Sequence, residues 1–65
     1  MIKDCWIWYH EGAFGWDVRA VYTDGNKLVD RINEDWGIEI EYETMMDSEW
    51  QEESNTKIEK SKLYE

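Results

Sequence analysis

Proline is absent from this 65-residue chain, cysteine and histidine occur once each, at Cys5 and His10, and there are only four glycines. One cysteine excludes an intrachain disulfide framework. Cys5 and His10 are too few for a structural zinc site, which takes four ligands. On one strand they would point to opposite faces about 16 Å apart, out of reach of each other as nucleophile and base. No apolar run approaches the ~18 residues of a membrane span. The apolar stretch from Cys5 to Tyr9 is too short and too aromatic for a secretory signal. The chain has no internal repeat and no low-complexity linker, and its length allows one domain.

The glycines make no P-loop, dinucleotide fingerprint or nucleophile elbow. An EF-hand loop begins with an acid five residues before its glycine. Ala20 and Ile32 stand at those positions before Gly25 and Gly37. No metal and no cofactor are implied. Acid–base catalysis would need a cleft that raises one carboxylate's pKa, and a chain this short has little room for one. The expectation is a protein that is not an enzyme.

Positive charge is scarce, with 7 basic residues against 16 acidic ones and a net charge of -9. Direct nucleic-acid binding is disfavoured, because affinity for phosphates comes mainly from lysine and arginine. The imbalance is local. Residues 30–53 hold Asp30, Glu34, Asp35, Glu39, Glu41, Glu43, Asp47, Glu49, Glu52 and Glu53, opposed only by Arg31. Such crowding costs stability by self-repulsion. A solvated face that keeps a small protein soluble would account for it, and so would a surface complementary to something basic.

Residues 2–9 (IKDCWIWY) are β-branched and aromatic and predict a strand apolar on both faces, as in a central strand or one whose edge a partner protects. His10–Gly15 reads as a hairpin loop. From Trp16 to Thr23 the pattern alternates, with Trp16, Val18, Ala20 and Tyr22 on one face, and predicts a second, antiparallel strand. Asp24-Gly25 fits either a tight hairpin turn or the entry to a helix; the helix over 25–36 is preferred, with Asp24 as cap, Leu28, Val29, Ile32 and Trp36 as its apolar stripe and Gly37 as its left-handed terminus. Ile38–Thr44 alternates strictly, with Ile38, Ile40 and Tyr42 opposite Glu39, Glu41 and Glu43, and predicts a third strand. Ser48 to Gln51 matches a capping box.

The expected fold is α+β: a small three-stranded sheet in β-β-α-β order with one helix packed on one face. Residues 1–53 would form the compact domain, and 54–65 a short or frayed tail, either helix, strand or disordered. The core would draw on Trp6 or Ile7, Trp16, Val18, Ala20, Leu28, Ile32, Trp36, Ile38, Ile40 and Tyr42. Five tryptophans exceed what one helix-on-sheet core can enclose, so some aromatics should stay accessible and mark an interface.

The leading functional expectation is an acidic inhibitor docking on a basic surface of a partner protein, a nucleic-acid-binding enzyme or complex. Charge would speed encounter, and a few aromatics would carry the affinity. The expected partner-binding set is Glu34, Asp35, Trp36, Glu39, Glu41, Tyr42, Glu43, Asp47, Glu49, Trp50, Glu52 and Glu53. On a strand the three glutamates would repeat every ~6.7 Å, about fourfold sparser than the charge along duplex DNA, so mimicry of DNA would need the neighbouring acids on the same side. In size, charge and aromatic content the chain resembles small phage-encoded inhibitors of host nucleic-acid enzymes, such as anti-CRISPR or RNA-polymerase inhibitors. This resemblance is one of class and covers no particular residues. The lack of a membrane span and of a secretory signal makes a cytoplasmic protein the expectation. The alternative is a self-associating structural or accessory subunit, a homodimer built on the first strand through Trp6, Trp8 and Tyr9.

Overall fold

Ile2–Gly12 forms β1 and Gly15–Tyr22 forms β2, an antiparallel hairpin closed by the two residues Ala13 and Phe14, in a computed structural model that describes residues 1–64. The strands run on to the Gly12–Gly15 pair, so the connection is tighter than the six-residue loop the sequence predicts. Gly15 takes φ +123°, a conformation that glycine adopts without a side-chain clash. Phe14 stands fully exposed at the tip.

Asp24 caps α1 (Gly25–Trp36): its carboxylate accepts from Asn26 N at 2.9 Å. Gly37, at φ +63°, ends the helix in the left-handed conformation and donates its N–H to Asn33 O. Leu28, Val29 and Ile32 form the buried stripe on the sheet. Gly25 is a contact residue as well as the first helical position. A Cβ there would lie 2.6 Å from Tyr42 Cε2 and 2.9 Å from Trp6 Cε2.

The segment after α1 departs from expectation. Residues 38–41 pair with no strand, and Tyr42–Met45 forms a short helix, α2. The alternation itself is real, because Ile38, Ile40 and Tyr42 are half-buried and Glu39, Glu41 and Glu43 exposed. What differs is the hydrogen-bond partner. The Asn33 side chain donates to Ile40 O at 3.1 Å and accepts from Ile40 N at 2.9 Å, and Ile38 N donates to Asn33 O. An amide side chain thus does for this segment what a neighbouring strand would have done. Helix α3 (Ser48–Glu53) is capped by Asp47, whose carboxylate accepts from Glu49 N at 2.8 Å. The cap is therefore one residue earlier than Ser48. Gln51, freed from a capping role, donates to Met45 O at 2.8 Å and accepts from Ile58 N at 3.2 Å.

The third strand is β3 (Thr56–Tyr64), from the segment the sequence left open as helix, strand or disorder. The last residue of that tail, Glu65, lies outside the described residues. β3 pairs antiparallel with β1, giving the order β2-β1-β3 with β1 central. Thr56 and Ile58 are buried. The chain is thus a small α+β fold: a three-stranded antiparallel sheet with α1, α2 and α3 layered over one face. Trp8, Leu28, Val29, Ile32, Met45 and Ile58 make the core, with Trp6, Ala20, Tyr22, Ile38, Ile40, Tyr42 and Trp50 against it.

A bulge decides which side chains of β2 enter that core. Trp8 pairs with Ala20 and Tyr9 with Val18, leaving Arg19 as an extra residue. The alternation resets there. Ala20 and Tyr22 face the helices, whereas Trp16 and Val18 share the opposite, open face with Val21. Trp16 and Val18 are exposed and are not core residues. Arg19 is turned toward the helical side, where its guanidinium lies 4.7 Å from the Trp8 ring and 3.7 Å from Asp35.

Candidate acidic interface

The two layers divide the charge between them. The helical layer, residues 24–53, holds Asp24 and the ten acids of 30–53 against Lys27 and Arg31. The strands hold Asp4, Glu11, Asp17 and Glu59 against Lys3, Arg19, Lys57, Lys60 and Lys62. The net charge is thus -9 over the helical segment and +1 over the strands.

Every one of the ten acids from Asp30 to Glu53 is exposed. Among the described residues Asp35 is the one held in ion pairs, at 3.0 Å from Arg31 Nε and 3.7 Å from Arg19. Arg31 also donates to the Tyr22 hydroxyl at 3.2 Å. That hydrogen bond first, and then Asp35, holds the guanidinium above its ordinary pKa. Glu34 and Asp35 end α1, and Glu52 and Glu53 end α3, with no basic residue in either last turn. The C-terminal end of a helix dipole repels negative charge, by ~0.3–1 kcal/mol per exposed group at low salt. Only Glu43 and Glu49 sit in first turns, where the dipole favours them.

The aromatic residues beside these acids form a stack. Trp36 meets buried Trp8 edge-on at 5.9 Å and lies 5.9 Å from Trp50 at a 37° tilt. Trp36 is exposed at the end of α1, and Trp50 is half-buried in α3. Trp36, expected in both the core and the interface, belongs to the surface edge of the core. Tyr42 is turned inward instead. Its hydroxyl accepts from Trp6 Nε1 at 3.0 Å and its ring meets Trp6 at 79°.

The expected partner-binding residues are therefore placed as follows. Glu34, Asp35 and Trp36 close α1, and Glu39 and Glu41 lie on the unpaired connection. Tyr42 and Glu43 open α2, Asp47 caps α3, and Glu49, Trp50, Glu52 and Glu53 lie along it. All belong to the helical layer. The evenly spaced carboxylate row expected from a strand at 38–44 does not exist, since Glu43 is helical and the segment before it is irregular. The residues expected to mediate self-association are also corrected. Trp8 is 1% exposed, and Trp6 is half-buried on the same, helix-covered face with Lys60 5.3 Å from its ring. Of the three, Tyr9 alone lies on the open face.

Cys5 is buried and free, while His10 is exposed at the far end of β1. Among the described residues no three His, Cys, Asp or Glu side chains gather in a metal-binding arrangement, and no helix is long and apolar enough to cross a membrane. An open cleft of about 430 Å³ lies between the hairpin and α3, lined in part by Trp16, Gln51, Glu52 and Lys57.

Arg19 and the open-face residues Val18 and Val21 were missed by a regular alternation. The signal for them is the run Val18-Arg19-Ala20-Val21, which breaks strict alternation where the bulge occurs. No family model, no curated protein and no solved structure matches this chain, so its own geometry carries the functional reading.

Proposed function

We propose that this chain is an acidic interaction module that docks its helical layer on a basic surface of a partner protein. The partner is of the kind that binds nucleic acid, and docking blocks that surface. The observation that carries this reading is the partition of charge by layer. Carboxylates that weaken the ends of α1 and α3 are kept, exposed, with a single one engaged in ion pairs. A solubilising surface gains nothing from placing acids at helix C-termini, whereas a docking surface gains long-range attraction to a basic partner. The Trp36–Trp50 pair supplies the aromatic anchor, since indole faces attract arginine and lysine side chains. In this reading the chain catalyses no reaction. It acts in the cytoplasm in the manner of phage-type inhibitors of host or defence enzymes.

The test is capture from an extract of the cells in which the chain is made, with the immobilised chain as bait and mass identification of what is retained. The expected result is a basic protein released by salt and displaced by duplex DNA or RNA. It is lost with Glu39→Gln/Glu41→Gln/Glu43→Gln or Trp50→Ala variants that keep the wild-type circular dichroism. Capture that ignores both salt and the triple variant would overturn the proposal.

A further inference from the structure

The face of the sheet turned away from the helices is apolar at its centre and uncovered. Val18 and Val21 are 58% and 53% exposed, and Ile7 and Tyr9 are half-buried between the flanking strands. Pairing aligns these side chains in two cross-strand rows. One row is Val18–Tyr9–Lys57 and the next is Val21–Ile7–Glu59. Between them runs the row Ala20–Trp8–Ile58, which points into the core.

We infer that this open face is covered by a second copy of the chain, related by a two-fold axis along that middle row. The operation lays each outer row over the other in the partner. Val18 meets Val21, Tyr9 meets Ile7, and Lys57 meets Glu59, each contact occurring twice. A twofold interface must be self-complementary, and these rows are so in both hydrophobicity and charge. The open face as a whole is neutral, with Lys3 and Lys57 against Glu11 and Glu59. Among the described residues its acids are matched by bases, so two chains of net charge -9 can meet there with less repulsion than across their helical layers. Most of the acidic layer lies on the outer side of each sheet, and Glu52 of α3 reaches the rim of the open face at the cleft it shares with Trp16 and Lys57, where salt screens the remaining repulsion. The dimer therefore leaves both helical layers free, and the inference stands whether or not the acidic layer docks on a basic partner.

Three strands of this length outline about 400 Å² per copy, or about 800 Å² in total, which is less than the ~1,200 Å² of a stable specific interface, so the association is expected to be weak and reversible. The test is sedimentation equilibrium of the full chain alone over ~5–500 µM. The expected result is a reversible shift from the 7.9 kDa monomer to a dimer. Val18→Lys/Val21→Lys, at exposed positions, should abolish the shift with circular dichroism unchanged. Lys57→Glu and Glu59→Lys should each weaken dimerisation about tenfold by setting like charges opposite one another, and the double swap Lys57→Glu/Glu59→Lys should restore it. A 7.9 kDa species at every concentration overturns the inference. A dimer indifferent to the valine pair, or one the double swap fails to rescue, does so equally.

Discussion

Replacing Gly25 by alanine tests the packing of this fold at the point where local and tertiary preferences disagree. In a free helix the substitution is favourable, by up to ~1 kcal/mol, because alanine restricts the unfolded chain more than glycine does. Here the added methyl would sit 2.6 Å from Tyr42 Cε2 and 2.9 Å from Trp6 Cε2, inside van der Waals contact with both rings. Neither ring is free to withdraw, because they meet edge-on and share the Trp6 Nε1–Tyr42 hydroxyl hydrogen bond. Forcing a methyl into a packed site costs ~1–3 kcal/mol, and loss of the hydrogen bond adds ~1 kcal/mol. Set against the helix gain, the net expectation is a destabilisation of about 1–3 kcal/mol. For a domain of this size that lowers Tm by about 4–24 °C. Urea denaturation followed by tryptophan fluorescence measures it, and the Trp6 contribution should shift as its hydroxyl partner is displaced. In a Tyr42→Leu background the alanine should cost less, and a double-mutant cycle should give a coupling above ~0.5 kcal/mol. A Tm equal to or above wild type for Gly25→Ala would refute the claim that Gly25 is held by close ring approach.

Asn33→Ala should cost about 1–3 kcal/mol, because both backbone groups of half-buried Ile40 lose their partner; fast exchange of the Ile40 amide would locate the damage, and an unchanged amide would show that another group holds the segment. Asp4 hydrogen-bonds to Lys62 and lies 3.9 Å from Lys60, and the Lys62 bond first, then the two charges, hold its carboxyl below its ordinary value of 3.8. A lowered folded-state pKa contributes stability that is complete above the unfolded value and lost as pH falls through the folded one. Acid unfolding curves of wild type and Asp4→Asn should therefore converge as pH falls from the ordinary carboxylate value through the lowered folded one, the variant lacking the extra stability at neutral pH; parallel curves throughout would exclude the linkage.

The ends of α1 as a preferred helix, the doubly apolar β1 and the acidic run were legible because each is written in nearby residues. Asp24 and Gly37 bracket the apolar stripe, β1 is apolar on both faces, which left a central or a partner-covered place open, and the acids fall in one continuous stretch. The acids expected at the interface lie in the helical layer, but Tyr42 turns inward and no evenly spaced carboxylate row forms. A strictly alternating segment needs only something extended to lie against, and Asn33 offers its amide where a strand was expected. Whether Ile38–Thr44 or Thr56–Tyr64 joins the sheet turns on which one reaches the free edge of β1. That competition depends on the docking of α3 and on Gln51 bridging to Met45 and Ile58.

Local pattern by itself thus determined a hairpin at the start of the chain and a strongly negative stretch over 30–53, and favoured a helix over 25–36 against a second hairpin turn at Asp24-Gly25, since capping, alternation and charge are short-range properties. Tertiary structure decided the rest: the third strand, the inward turn of Tyr42, the exposure of Val18 and the separation of a -9 helical segment from a +1 set of strands. Each depends on a contact between residues far apart in the chain, or on the bulge at Arg19, where a single extra residue exchanges the two faces of the rest of β2.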